Sequence, residues 1–352
     1  GNNCGPASEV EEPLDVEAAY DMAPGANQLV VGADSCDTGD FGFQGLFDAE
    51  TAILNGVGGH PLAPIASNTW VSPGETQPAF LTNIEHAFLV RAAGEGVGMY
   101  FSSGDTSGVA TPSSDPFAVA VGGTTLGIGQ TNKRLFETGW SSRMSSLTPK
   151  GWLIMGERWA AGGGPSLLWR EPSYQHGVVP PALARAPGNR GRARSVPDIS
   201  ADADPSTGFA VGLLKFSHQH RSQTSRLVEV DYGGTSVATV LVAGMVTAAQ
   251  QGQAKPFGFL DPVLYRLAGT RAFFDTLPLT SHSPAPYRGI ACPPSACHRF
   301  TNLSTTVLFT FDDQNRSMPG YKGQVTLKGY DNMTGLGTPN GPNFIKALRA
   351  VH

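Results

Sequence analysis

The sequence has little charge, and it lacks any long apolar run. Charged residues make up 15% of its 352 residues, against about 25% in typical soluble domains. The net charge is -5, and no basic face is present. These absences argue against nucleic acid and membrane as partners.

Cysteine is also scarce. Cys4 and Cys36 lie near the beginning of the chain, and Cys292 and Cys297 lie near its end. Because no two of them have CxxC spacing, the sequence does not predict a zinc site. Two disulfides in an exported protein are the better interpretation, and four free buried thiols in a cytosolic protein are the alternative.

The chain does contain a repeated alternation of strand and helix patterns. Helical spacing is found in residues 9–23, 43–55 and 79–94, and apolar strand patterns in residues 28–32, 66–71, 97–101 and 117–121. This alternation predicts a parallel sheet with helices on its faces. Residues 127–195 are predicted to be rich in loops, with a solvated basic segment at 185–194. Residues 1–352 are predicted to form a single domain.

The motif Gly233-Gly234-Thr235-Ser236 precedes a helical run of small and apolar residues. A helix N-terminus offers unpaired N–H groups that suit a developing oxyanion, although capping the helix is the commoner role for such a serine. Subtilisin-type enzymes pair this kind of serine with a histidine in a His-Gly-Thr setting. None of the eight histidines has that setting. If Ser236 is a nucleophile, its base is therefore another kind of residue.

Three acidic residues have spacing or position that suits catalysis. Glu11 and Asp15 are four residues apart on a predicted helix, so their carboxylates share a face and one pKa is raised. Because neighbouring residues are also acidic, the alternative is that both carboxylates belong to a solvated acidic face of the helix. Asp105 follows a predicted strand, where α/β folds place their sites. The alternative is a turn aspartate that supports its own loop.

Two further aspartates lie near the C-terminus. Asp313 and Asp331 flank a glycine-containing segment, and Ca²⁺ takes six to eight oxygen ligands from carboxylates, carbonyls and water. Their spacing is not that of an EF-hand, so two ordinary loop aspartates remain the alternative.

Several stretches, taken in order, resemble the sedolisin family, the serine-carboxyl peptidases. The matching stretches are residues 11–17 with 23–26, 103–105 with 120–125, 196–205, 234–236 with 258–265, and 330–331 with 334–341. The resemblance spans nearly all of the chain. It implies a subtilisin-like, doubly wound, mostly parallel α/β sheet with helices on both faces. It also implies a calcium-binding region within residues 299–352.

The resemblance implies a role for each matched residue. Ser236 is the nucleophile, and Glu11 is the general base and then the general acid. Asp15 holds Glu11, and a protonated Asp105 donates a hydrogen bond to the oxyanion. The implied substrate-binding residues are Gly162, Gly163, Gly164 and Trp70. The implied Ca²⁺ ligands are the carboxylates of Asp313 and Asp331 and the carbonyls of Gln314, Leu327 and Gly329.

These roles imply an endopeptidase that acts on peptides or proteins in acid and is either secreted or located in another acidic exported compartment. A glutamate with a reference pKa of about 4.3 is a competent base there, and a site can keep an aspartic acid protonated. The alternatives are a tripeptidyl-peptidase of the same family and an inactive relative that binds peptides. A carbohydrate-active enzyme is a weaker alternative, because Glu11 and Asp15 lie too close together to flank a glycosidic bond.

The chain departs from the family pattern in three places. Val240 replaces a frequent proline after the nucleophile. The loop after Asp105 lacks an acidic residue that some members place in a substrate pocket, so specificity does not transfer. Family catalytic domains carry several tens of residues before the Glu/Asp helix, whereas this chain starts ten residues before Glu11. This difference predicts either a separate N-terminal chain of the same precursor as a partner or a truncated chain.

Overall fold

The structure, a computed structural model, describes residues 8–33, 40–186, 188, 191–219, 222–280, 307–311, 314–315 and 323–351. The four cysteines and Asp313 lie outside these ranges, and so do the predicted disulfides. The helices within them are α1 (Ser8–Met22), α2 (Asp40–Asn55), α3 (Ala79–Gly94), α4 (Thr235–Gln250), α5 (Asp261–Arg266) and α6 (Gly341–Val351), with a 3-10 turn at Ser173–Gln175. No helix within these ranges is long and apolar enough to cross a bilayer.

The strands belong to one central sheet and several small ones. They are β1 (Ile65–Asn68), β2 (Ser72–Pro73), β3 (Gly98–Ser102), β4 (Ala110–Thr111), β5 (Val119–Ile128), β6 (Arg134–Gly139), β7 (Ser141–Thr148), β8 (Gly151–Ala160), β9 (Gly164–Arg170), β10 (Ala193–Val196), β11 (Ile199–Asp202), β12 (Phe209–Gln219), β13 (Ser222–Tyr232), β14 (Phe273–Phe274), β15 (Val307–Phe311), β16 (Gln314–Asn315), β17 (Gln324–Val325) and β18 (Thr338–Pro339). The central sheet has the order β1-β3-β5-β11, all parallel, and β6 pairs antiparallel with β5.

Helices cover both faces of the central sheet. In β3, Tyr100 belongs to the apolar cluster that contains α4, whereas Met99 and Phe101 belong to a second cluster with Leu54 of α2 and Leu89 of α3. Because successive strand side chains point to opposite faces, α4 lies on one face and α2 and α3 lie on the other. The predicted mixed α/β fold with a parallel sheet is confirmed.

Helix α1 packs against α4 and the β12–β13 hairpin. Leu14 and Ala18 are buried and four residues apart, so they lie on one side of α1, where they meet Val237 and Leu241 of α4. This packing fixes α1 beside the beginning of α4. It therefore carries the acidic residues of α1 toward Ser236.

The prediction that residues 127–195 are rich in loops is wrong. Antiparallel strand pairs occupy much of this segment. β7 and β8 form a hairpin, and β9 pairs with β10. The sequence of β7, SSRMSSLT, carries almost no apolar alternation, so only its hydrogen-bonded neighbours identify it as a strand.

The prediction of a wholly solvated basic segment at 185–194 is wrong at its last residue. Arg194 is fully buried, and its guanidinium forms two 2.6 Å hydrogen bonds to the carboxylate of Asp198. The bidentate geometry compensates for the loss of water around both charges. The pair ties β10 to the segment that leads into β11.

Residues 28–32 do not form the predicted strand. Leu29 is 60% exposed and Val30 is 57% exposed, and no described strand pairs with them. They line a cavity of about 430 Å³ whose other walls include β1 and α2. A strand needs a hydrogen-bonded neighbour, and the cavity lies where that neighbour would be.

Candidate active site

Ser236 lies in the first turn of α4, as its motif predicts. Gly234 precedes it with φ +113, a value that side chains disfavour, and a Cβ there would lie 2.9 Å from Asp105 Oδ2. Ser236 is 9% exposed, and its hydroxyl donates to the Thr69 carbonyl at 3.4 Å. The backbone thus holds Ser236 at the edge of the sheet with its hydroxyl turned toward β1.

Glu11 extends from α1 toward the Ser236 hydroxyl. Burial raises the pKa of Glu11, a hydrogen bond with the Ser236 hydroxyl lowers it, and the nearby Asp105 charge raises it. The Ser236 hydroxyl and the Glu11 carboxylate are therefore hydrogen-bonding neighbours. In a serine hydrolase, this is the relation between a nucleophile and its base.

Asp15 lies one helical turn behind Glu11. Its Oδ2 accepts a 2.8 Å hydrogen bond from Thr69 Oγ1, whereas Oδ1 is buried with no partner among the described residues. Burial raises the pKa of Asp15 to about 7. Thr69 follows β1 directly and contacts both Asp15 and Ser236, although nothing in the sequence marked it as a site residue.

Asp105 lies just beyond the carboxyl end of β3. Both of its recorded hydrogen bonds go to Oδ1, one from Thr235 N and one from Thr235 Oγ1, each at 2.8 Å. Burial raises the pKa of Asp105, which favours the protonated form. Because Oδ1 acts as the acceptor, the proton belongs on Oδ2, the oxygen beside Gly234.

The structure thus brings Ser236, Glu11, Asp15 and Asp105 into one cluster, which with Thr69 we call the Ser236 cluster. Tyr232, two residues before Gly234, borders the Ser236 cluster. Burial and the nearby charges of Glu11 and Asp105 raise the pKa of Tyr232. Among the residues that the structure describes, no histidine belongs to the Ser236 cluster. Thr69 and Tyr232 follow or end strands, so their positions depend on the sheet and not on a motif.

Of the three glycines at 162–164, Gly162 and Gly163 lie against the Asp105 loop, and Gly164 pairs with Val196 of β10. Gly162 N donates to Gly104 O and Gly163 N to Gly108 O, both at 2.8 Å. A Cβ on Gly162 would lie 2.0 Å from Ser103 O, so only glycine permits this approach. Trp70 packs edge-on to Phe101 at 5.8 Å and lines the 430 Å³ cavity.

The described part of the expected calcium region is a tight loop around Asp331. Asp331 is fully buried, and its carboxylate accepts hydrogen bonds from Leu327 N, Met333 N, Thr334 N and Thr334 Oγ1. Within the described ranges, the carbonyl oxygens of Leu327 and Gly329 have no recorded donor. Free carbonyl oxygens fit the ligand preference of Ca²⁺.

No protein-family model matches the chain. Kumamolisin from Bacillus sp. (strain MN-32) is 30% identical over 359 residues, which cover 99% of this chain and 52% of kumamolisin. Sedolisin from Pseudomonas sp. (strain 101) is 32% identical over 176 residues, covering 49% of this chain and 25% of sedolisin. The chain thus spans about half or less of the length of these relatives.

A solved structure of Pseudomonas sedolisin, a serine-carboxyl proteinase complexed with two molecules of pseudo-iodotyrostatin, has a TM-score of 0.67. It is 24% identical, and the match covers 97% of this chain and 78% of that one. The fold is therefore the mixed α/β fold of that proteinase. The chain belongs to the sedolisin family.

Proposed function

We propose that the protein is a secreted serine-carboxyl endopeptidase that hydrolyses peptide bonds in acid. The observation that carries this proposal is the position of Glu11 within hydrogen-bonding reach of the Ser236 hydroxyl, in a cluster with two further partly buried carboxyl groups. Such an arrangement gives the nucleophile a carboxylate base. The peptide or protein substrate is supported by the peptidases to which the chain is similar.

The mechanism uses each carboxyl group differently. Glu11 takes the Ser236 proton as Oγ attacks the scissile carbonyl, and Asp105 Oδ2–H donates a hydrogen bond to the resulting oxyanion. Glu11 then returns the proton to the leaving amine, and later removes one from the water that cleaves the acyl-enzyme. Asp15 stands behind Glu11 as a positioning residue, held by Thr69.

The proposal predicts an acid pH range. Glu11 must be ionised to act as a base, while Asp105 must be protonated to act as a donor. Activity therefore rises as Glu11 loses its proton and falls as Asp105 loses its own. Since both pKa values are raised by burial, the active range lies above the usual carboxyl pKa values and ends where Asp105 ionises.

A pH–activity profile on an unfolded protein substrate tests the proposal, with Ser236→Ala as the inactive control. We expect maximal cleavage in acid, collapse toward neutral pH, and loss of at least 1000-fold in the variant, on the order of removing a serine nucleophile. An optimum at neutral or alkaline pH, or full activity of Ser236→Ala, contradicts the mechanism.

The proposal includes a subtilisin-like arrangement and one structural Ca²⁺ ion. The carboxylates of Asp313 and Asp331 and the carbonyls of Gln314, Leu327 and Gly329 would hold the ion, which would stabilise the C-terminal loop. The free carbonyls of Leu327 and Gly329 support this assignment. We expect a chelator to lower the melting temperature and added Ca²⁺ to restore it, whereas an unchanged melting temperature argues against the ion.

An exported location and a second chain complete the proposal. Two disulfides among Cys4, Cys36, Cys292 and Cys297 would suit export, and alkylation with and without reduction counts the free thiols by mass. A separate N-terminal chain of the same precursor is supported by the 430 Å³ cavity, which lies beside the edge of β1 that no described strand pairs with. Intact mass and a native gel test it, and an active, stable monomer of the 352-residue chain contradicts it.

A further inference from the structure

One hydroxyl group lies between two carboxyl groups of the Ser236 cluster. Thr69 Oγ1 is 2.8 Å from Asp15 Oδ2, and the same hydroxyl is within hydrogen-bonding reach of Glu11, whose pKa it lowers. The carbonyl of Thr69 accepts the Ser236 hydroxyl at 3.4 Å. The Thr69 hydroxyl is therefore placed to act on both Glu11 and Asp15, which we call the carboxyl pair.

A hydroxyl group can serve both members of the carboxyl pair at once. It has one hydrogen to donate and two lone pairs that accept, and its hydrogen rotates about the Cβ–Oγ bond. Between two carboxyl groups, it donates to an ionised one and accepts from a protonated one. The 2.8 Å contact between Thr69 and Asp15 forms equally well when a protonated Asp15 is the donor. Two ionised carboxylates would compete for the single hydrogen, so the Thr69 hydroxyl favours the state in which only one of them is ionised.

Asp15 is the member of the carboxyl pair that keeps its proton. Burial and the charge of Glu11 raise the pKa of Asp15 to about 7, and its Oδ1 is buried with no partner among the described residues. A charge there would lose its water without compensation. Glu11 has the hydroxyls of both Thr69 and Ser236 within reach, so its ionised form is the better stabilised of the two.

Few other ionisable groups surround the carboxyl pair. From other elements, the pair is faced by Asp105 after β3, Tyr232 at the end of β13 and Glu50 on the wall of the 430 Å³ cavity. Burial raises the pKa of each of these three groups, which keeps them uncharged in acid. β1 and α4 contribute no ionisable side chain. On α1 itself, Glu12 is exposed and Glu17 accepts a hydrogen bond from β12. The acid limit of activity therefore depends on the carboxyl pair.

We infer that Thr69 is a positioning residue that sets the acid limit of activity, because its hydroxyl donates to an ionised Glu11 while Asp15 holds the proton of the carboxyl pair. Without this hydroxyl, the ionised Glu11 loses a charge-assisted hydrogen bond. A higher pH is then needed before Glu11 can act as the base for Ser236. The kinetic part of the inference rests on the proposed peptidase function, whereas the titration of Glu11 does not.

The first experiment measures kcat and KM of a peptide substrate against pH in Thr69→Val, which removes the hydroxyl and keeps the branched shape. We expect the acid limit of kcat to rise by about one pH unit, the value of one hydrogen bond to a charged group, with KM unchanged at the optimum. Thr69→Ser, which keeps the hydroxyl, should retain the original limit. An acid limit that Thr69→Val leaves unchanged, even with a lower kcat, overturns the inference and leaves the peptidase intact.

Thr82→Val is the matched control for this experiment. Thr82 of α3 is half-buried like Thr69 and lies outside the Ser236 cluster, so its substitution should not move the acid limit. Equal shifts in Thr82→Val and Thr69→Val contradict the inference. Urea unfolding checks that each variant is folded, and Thr69→Ala takes the place of Thr69→Val if the valine variant does not fold.

The second experiment follows the titration of Glu11 without any need for activity. Carbon-13 NMR of the labelled carboxyl groups compares Ser236→Ala with Ser236→Ala/Thr69→Val, and Glu11→Gln identifies the Glu11 signal. We expect the apparent pKa of Glu11 to be about one unit higher in the variant without the Thr69 hydroxyl. Equal titrations overturn the inference whether or not the protein cleaves peptides. If the protein with Ser236 intact cleaves no more than Ser236→Ala, the proposed function itself is overturned.

Discussion

A buried glutamate outside the Ser236 cluster offers the clearest test of the electrostatic reasoning. Glu50 of α2 is 2% exposed, and neither carboxylate oxygen has a partner among the described residues. Burial raises the pKa of Glu50 from 4.5 to about 8. Glu85 of α3 is also 2% exposed, and burial and the nearby Glu50 and Asp115 charges raise its pKa to about 9.

The change Glu50→Gln removes the ionisation and keeps the shape. Because the folded-state pKa lies above the unfolded value, the Glu50 contribution to stability is fully present below pH 4.5 and is lost as the pH rises toward 8. At about 1.4 kcal/mol per pKa unit, this loss between pH 4 and pH 7 is about 3 kcal/mol. With about 2.1 cal/mol/K of unfolding entropy per residue, it corresponds to about 4 °C in melting temperature.

The assay is thermal or urea unfolding followed by circular dichroism at pH 4 and pH 7. All variants carry Ser236→Ala, so that proteolysis of unfolded chains does not distort the curves. Asp48→Asn is the matched control, because Asp48 lies on the same helix and is exposed. We expect the stability difference between the two pH values to shrink by about 3 kcal/mol in Glu50→Gln and to persist in Asp48→Asn. An unchanged difference in Glu50→Gln would refute the desolvation argument.

Two more substitutions test the Ser236 cluster and its support. Asp105→Asn keeps an acceptor for Thr235 and places an amide donor at the Oδ2 position, so we expect residual activity whose alkaline limit lies at higher pH, whereas Asp105→Ala should lose about 100-fold in kcat. An unshifted alkaline limit in pH–rate profiles of Asp105→Asn argues against Asp105 as the ionising donor. Gly162→Ala places a Cβ 2.0 Å from Ser103 O and should lower the free energy of unfolding by about 1–3 kcal/mol. Gly25→Ala, with nothing within 4 Å, is its control in urea unfolding, and equal effects would contradict the close-approach argument.

Local patterns predicted the main α/β elements well. The predicted helix at 79–94 coincides with α3, and the strand pattern at 97–101 lies one residue from β3. Prediction failed where pairing partners decide the structure. β7 has little apolar alternation and becomes a strand through β8 and β15, whereas residues 28–32 have a strand pattern but no described neighbour to pair with.

The sequence by itself determined the family and the identities of the four residues of the predicted catalytic set, because their motifs are local and keep their order along the chain. The sequence also shows that no histidine lies in a His-Gly-Thr setting, and this points to a carboxylate base. Only the tertiary structure decided that α1 packs on α4 and brings Glu11 to Ser236, that Thr69 joins Asp15 to Ser236, and that Arg194 is buried. These facts depend on contacts between residues far apart in the chain. The pKa shifts depend on the same contacts, because burial arises only when separate elements pack together and exclude water.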